Sequence, residues 1–271
     1  MESAGNFWMK PAVTLQSIVD PFVKGLQGEL VADMVGNNNP PPSADYLFRR
    51  HNVIAELKAL EADSFGESFR KKLGDRAAVW QRRGQLLVYG TARVDSHRLP
   101  LACQQELLDL MAAPVQRIVR AADAQIASTK EILGLPTARG LLWIASDGNQ
   151  DLQPDTVWFL VTRILRKRQG DGTPQYRHIH GMAYFSPRMI AAMPQTTLPV
   201  LFWFGGARED GDQEMRAVLG MLGAAWPQYV ASAQGVQLHL VDKVNTLSDL
   251  RFAGPPRPLP MIYMSDPSHG D

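Results

Sequence analysis

Ser43-Ala44-Asp45-Tyr46-Leu47-Phe48-Arg49-Arg50-His51-Asn52-Val53-Ile54-Ala55-Glu56-Leu57-Lys58-Ala59-Leu60 holds two short strand-like runs, Asp45 to Phe48 and Val53 to Leu60, separated by four polar residues. That spacing predicts a β-hairpin. Side chains alternate faces along a strand, so Ile54, Glu56, Lys58 and Leu60 share one face while Val53, Ala55, Leu57 and Ala59 share the other. Both faces are apolar except at Glu56 and Lys58, which predicts a strand covered on both sides. Charges in such a strand are costly to desolvate unless they are paired or bound to a metal.

The plain explanation is an ion pair between Glu56 and Lys58 at a fraying strand end, and Glu-x-Lys alone is a weak pattern. The hairpin offers a sharper one, because it brings Asp45 close to Glu56. Two carboxylates suit a hard divalent cation such as Mg²⁺ or Mn²⁺, which takes oxygen ligands and keeps several waters. The backbone carbonyl of Leu57 is a further candidate ligand. Lys58, on the Glu56 face, would orient or deprotonate a water and offset charge on a phosphate. The expected chemistry is phosphodiester hydrolysis.

Outward from this stretch, Asp20-Pro21 predicts a helix start, with Phe22, Val23, Leu26, Leu30 and Met34 on one stripe and Gly36 at its end. Asn37-Asn38-Asn39-Pro40-Pro41-Pro42 cannot continue a regular element. Ser64 to Arg83 is helical and basic, and Arg49 to Arg83 carries nine Lys or Arg against five Asp or Glu. Gln85 to Val94 reads as a third strand. Helices follow at Gln104 to Ala112 and Pro114 to Leu133, stopped by Gly134-Leu135-Pro136. Strands are expected at Gly140 to Ala145, Ile179 to Phe185 and Pro199 to Phe204. Further helices are expected at Asp155 to Arg168 and at Asp210 to Val230, the latter interrupted near Trp226-Pro227. The tail is rich in proline. The whole predicts one α/β domain over residues 1–271, with a basic helical insertion at about 64–112.

A helix, an Asp-bearing strand and an apolar-flanked Glu-x-Lys in the next strand resemble the PD-(D/E)xK nuclease superfamily, the restriction-endonuclease-like fold. The residue before Asp45 is Ala44 where the name motif has proline, a position that varies in the superfamily. The resemblance is specific over roughly Asp20 to Leu60 and rests on element order beyond it. It implies a central mixed β-sheet flanked by helices, with core order α-β-β-β-α-β. It also implies a metal at Asp45 and Glu56, with Lys58 as the catalytic lysine. Many members carry an acidic residue in the first core helix. Glu29, at the shoulder of the apolar stripe, is the expected match, with a solvent-facing Glu29 as the equal alternative and Asp33 one turn later competing for the role. Some members use a glutamine on the later core helix, where Gln125 stands one turn from Thr129 and beside Lys130; a plain polar helix face is the competing reading. The implied partner is nucleic acid, DNA favoured over RNA, and a homodimer is compatible because double-strand cutters of this fold are often dimeric. The alternative is a nuclease-like module without catalysis that binds nucleic acid or a protein.

Composition narrows the remaining classes. The chain has 271 residues, 45% hydrophobic and 20% charged, which excludes a disordered or fibrous protein. Lys and Arg number 28 against 27 Asp and Glu, so a polyanion would have to be held by local patches and not by a global field. Candidates are Arg70-Lys71-Lys72, Arg76 and Arg82-Arg83, and the run Arg163, Arg166, Lys167, Arg168 and Arg177; solvated basic faces are the plainer reading of both. The single cysteine, Cys103, excludes a disulfide framework and fits a reducing cytoplasm. No apolar run approaches the roughly 20 residues of a membrane span, and Met1-Glu2-Ser3-Ala4-Gly5-Asn6 lacks the features of a secretory signal. A soluble cytoplasmic protein is expected. His178-x-His180 reads as an ordinary strand pair, since no further ligand set is apparent. Ser146-Asp147-Gly148-Asn149 reads as a turn. Nucleophile-elbow, Walker-type and Cys/His-cluster patterns are absent from the sequence.

Overall fold

The computed structural model of the chain describes residues 14–35, 41–60, 66–86, 99–146, 153–187, 191–193, 196–209, 211–234 and 251–252. Helix α1 (Leu15–Gly25) starts ahead of the predicted Asp20-Pro21 cap, because Thr14 Oγ1 accepts the Ser17 N–H at 3.3 Å. Pro21 therefore lies inside α1, where the buried stripe Leu15, Val19, Phe22 and Val23 holds the helix together. The predicted continuation to Met34 does not form. Gln27 takes a positive φ of 58°, and a Cβ on Gly28 would meet Val23 Cγ1 at 2.5 Å. The chain thus turns sharply into β1 (Glu29–Leu30) and a short helix α2 (Val31–Val35).

The predicted hairpin is β2 (Tyr46–Phe48) and β3 (Val53–Leu60), joined by a 3₁₀ turn at Arg49–His51 and a left-handed Asn52. Helix α3 (Glu67–Arg82) is the basic helix. The predicted strand at Gln85 to Val94 falls mostly outside the described residues. Helix α4 (Leu101–Ile132) replaces the two expected helices and runs straight through Pro114. A proline inside a helix removes one donor and crowds the preceding turn. Here Pro114 is buried between Ala112 and Val115 on the core stripe, so packing carries the helix across it.

β4 (Arg139–Ser146), α5 (Pro154–Leu165), β5 (Gly181–Phe185), β6 (Ala191–Met193), β7 (Thr196–Val200) and β8 (Trp203–Ala207) follow. Helix α6 (Gln213–Gln234) continues unbroken through Pro227 beside buried Trp226, against the expected interruption, and β9 (Arg251–Phe252) ends the described chain. The expected strand at Pro199 to Phe204 divides instead between β7 and β8.

Six strands form a mixed sheet of order β1-β2-β3-β4-β5-β8. The pairs β1–β2, β2–β3 and β5–β8 are antiparallel, while β3–β4 and β4–β5 are parallel. A second, three-stranded sheet has order β7-β6-β9. Helices α3, α4 and α5 bury one face of the main sheet against Ile54, Leu60, Leu142, Ile144 and Tyr184. Helices α1 and α6 bury the other against Val53, Ala55, Leu57 and Trp143. The molecule is therefore α/β, with β3 covered on both faces as its sequence predicts. Among the described residues no helix is long and apolar enough to cross a membrane.

Candidate active site

The hairpin register decides what Asp45 can reach. Tyr46 pairs with Ala55, so Asp45 stands opposite Glu56, one step beyond the last paired position. The ladder between β2 and β3 stops there, while β3 stays paired with β4 through Leu60. The Leu57 N–H on the freed edge would lack a backbone acceptor, and Asp45 Oδ2 takes it at 2.8 Å. In an extended strand the carbonyl of a residue leaves on the same edge as its N–H, so the Leu57 carbonyl faces the Asp45 side.

Glu56 is buried, with 1% of its surface exposed. Lys58 shares its face, and Lys58 Nζ stands 2.5 Å from Glu56 Oε1. The same ammonium donates to Gln125 Oε1 on α4 at 2.6 Å, and Gln125 Nε2 donates in turn to the Ser43 carbonyl at 3.0 Å. One turn on, Thr129 Oγ1 accepts the Ala44 N–H at 2.7 Å and donates to the Gln125 carbonyl at 2.8 Å. Helix α4 is thus bolted to the segment leading into Asp45, and the same glutamine aims the lysine.

The electrostatics follow from burial. Removal from water pushes the Glu56 carboxyl up to about 8, the neighbouring Asp45 raises it further, and Lys58 opposes both. Burial also raises Asp45, against the pull of the Leu57 N–H. The Tyr46 phenol is pushed well above its ordinary range by burial and by its hydrogen bond to Asp20 Oδ1 at 2.9 Å. Among the described residues no N–H or O–H group donates to buried Glu56 Oε2, and the Asp45 carboxyl lies against Glu56. Native proteins rarely leave such an atom without a donor, and a bound ion is one recognised partner for it. Two carboxylates and a carbonyl are all-oxygen donors, the set that Mg²⁺ or Mn²⁺ accepts, so the residues present fit the cation. Among the described residues no three of His, Cys, Asp and Glu gather as a metal cluster. Two carboxylates would leave several coordination positions to water.

The structure brings Asp45, Glu56, Leu57, Lys58 and Gln125 together, and leaves Glu29 out. Glu29 lies on β1 instead of a helix, because the chain breaks at Gln27-Gly28, and its carboxylate forms a two-pronged pair with Arg49 at 2.8 and 3.1 Å. Asp33 faces solvent, 3.9 Å from Lys24. The acidic residue that α1 does place near the site is Asp20, through Tyr46. Its reading as a helix cap hid it; once Thr14 is the cap, Asp20 falls one turn before Val23 and Lys24, beside the stripe. His178 and His180 precede β5, and Asp147 lies outside the described residues. No family model matches the chain, and no curated protein or solved structure matches it.

Proposed function

We propose that this chain is a divalent-metal-dependent nuclease that hydrolyses phosphodiester bonds, DNA favoured over RNA. The observation that carries the reading is the meeting of Asp45 and Glu56 on adjacent strands, with Lys58 alongside and no donor among the described residues for Glu56 Oε2. A structural ion pair accounts for Glu56 and Lys58 alone. It leaves unexplained why a second buried carboxylate is set beside the first, raising it, with no donor among the described residues for Glu56 Oε2. The element order supports the reading too. With α2 set aside between β1 and β2 and α3 between β3 and α4, the order α1, β1, β2, β3, α4, β4, with β1–β2 and β2–β3 antiparallel and β4 parallel to β3, is compatible with the α-β-β-β-α-β order of a restriction-endonuclease-like core.

In this reading Asp45, Glu56 and the Leu57 carbonyl hold Mg²⁺ or Mn²⁺. When bound, the cation supplies Lewis acidity at the scissile phosphate. Lys58 sets a positive charge beside that phosphate and orients the attacking water, and Gln125 fixes the Lys58 ammonium. A reducing cytoplasm suits the single buried Cys103.

The test is incubation of the wild-type chain with plasmid, single-stranded DNA and RNA, with Mg²⁺ or Mn²⁺ and with chelator, beside Glu56→Gln and Lys58→Ala. Metal-dependent cleavage lost in both variants is expected. Undiminished cleavage by both, or none by the wild type, defeats the reading.

A further inference from the structure

A cleft of about 540 Å³ opens between α3 and α4, away from Asp45 and Glu56. Ser68, Phe69 and Lys72 line it from α3, and Leu110, Ala113, Pro114, Gln116, Arg117 and Arg120 from α4. Among the described lining residues three are cationic and none is acidic. Lys72, Arg117 and Arg120 are exposed, and no carboxylate among the described residues pairs with them. Their neighbours on α3 behave differently: Arg76 and Arg83 are both held by Glu106, at 3.2 and 3.3 Å. On α3 itself, Arg76 thus neutralises an acid, while Lys72 lines the cleft with no carboxylate partner among the described residues.

The cleft shares its helix with the site. Arg117 lies eight residues before Gln125, which at 1.5 Å per residue is about 12 Å along α4. That distance is three to four nucleotide rises of roughly 3.4 Å in a B-form strand. Between the two, Ala121 and Ala124 are exposed and small. Unpaired cations along a groove are what a phosphate backbone recruits.

We infer that this cleft receives the phosphodiester backbone of the substrate on one side of the scissile phosphate, with Lys72, Arg117 and Arg120 as its phosphate contacts. The inference rests on the nuclease reading for its register, and on the cleft's own charge for its ligand. Such contacts fix position without reading bases, so their loss weakens binding evenly across sequences.

The experiment measures anisotropy of a fluorescein-labelled DNA duplex of about twenty base pairs, titrated over a range of salt with Ca²⁺ in place of Mg²⁺. For K72A/R117A/R120A, affinity is expected to fall at least about tenfold, and the slope of log K against log salt by about 2 to 3. A charge-matched K24A/R50A/R216A variant, with no residue in the cleft, keeps the wild-type slope to within the smaller change that net charge brings. Arg117→Gln alone lowers the slope by about 1 and preserves the test if the triple variant misfolds. Hydrolysis of bis(p-nitrophenyl) phosphate, too small to reach the cleft, stays at the wild-type rate. Unchanged affinity and slope in the cleft variants, or equal losses in the charge-matched variant, overturn the inference. A wild type that binds through the cleft but hydrolyses neither substrate overturns the nuclease reading and leaves the cleft assigned.

Discussion

Helix α4 carries two buried charged clusters on opposite flanks, and they spend their hydrogen bonds differently. Gln125 and Asp123 point about 160° apart around the helix. On the Gln125 flank, Asp45, Glu56 and Lys58 face one another, and Glu56 Oε2 has no donor among the described residues. On the Asp123 flank, the groups are tied to backbone. Asp123 accepts the His178 N–H at 2.9 Å, His180 Nδ1 accepts the Gly140 N–H at 3.0 Å, and Arg208 donates to the Tyr176 carbonyl at 2.7 Å. Buried polar groups that close on the backbone specify a fold, whereas buried groups left open hold capacity for a ligand. One flank closes on the backbone, and in the proposed reading the other is kept open for a cation.

The largest effect expected of that contrast is on turnover. Glu56→Ala or Lys58→Ala should lower the rate of nucleic-acid cleavage at saturating substrate by about a thousandfold or more, and chelator should do the same to the wild type. Asp123→Asn should leave that rate unchanged while lowering thermal stability. A stability loss without a rate loss at Glu56, or the reverse at Asp123, would exchange the roles of the two flanks.

Stability against pH sharpens the comparison, because the flanks carry opposite signs. Glu56 has its folded value raised from 4.5 to about 8. The folded state therefore holds the extra proton across that window, and metal-free stability falls as pH rises from 4.5 through about 8. His180 is lowered from 6.5 to about 4, mainly by burial and then by Lys130 and Arg208. Here the unfolded state holds the extra proton, so stability is lost as pH falls from 6.5 through about 4. Of these two slopes, the Glu56 one remains above pH 6.5. In chelator, Glu56→Gln should raise the melting temperature at pH 8.5, by roughly 2–4 °C for each kcal/mol relieved, and flatten its decline. Divalent cation should flatten the wild-type decline as well. His180→Asn should flatten only the acid limb. A Glu56→Gln protein that melts lower than wild type in chelator at pH 8.5 would mean the carboxylate is a structural asset.

The legible parts of this molecule were those set by local period. Alternation put Glu56 and Lys58 on one face, and the four-residue gap before Val53 put Asp45 opposite Glu56. What misled were prolines. Pro21, Pro114 and Pro227 each sit inside a helix that the sequence breaks or starts there, because burial of Phe22, Val115 and Trp226 outweighs a lost donor and no local pattern reports that burial. Misplacing the start of α1 also misplaced its acid, since Glu29 falls past the turn at Gln27-Gly28 while Asp20 reaches the site through Tyr46. Gln125 meets Lys58 across 67 residues of chain, a separation that no spacing rule addresses.

That contact carries the smallest effect and the finest test. Gln125 touches Lys58 and the Ser43 carbonyl, so it acts by positioning the lysine and the entry to Asp45. Gln125→Ala should lower the cleavage rate about tenfold, or about 1.4 kcal/mol, with little change in KM. Gln125→Glu should restore part of the rate, because a carboxylate also accepts from Lys58, although it cannot donate to Ser43. Thr129→Val removes the neighbouring bolt, the Ala44 N–H acceptor, without touching Lys58. It should therefore cost stability and not rate, as the Asp123 flank does. Equal rate losses in Gln125→Ala and Thr129→Val would show that α4 serves the site only as scaffold, and would erase the distinction between its two flanks at this residue.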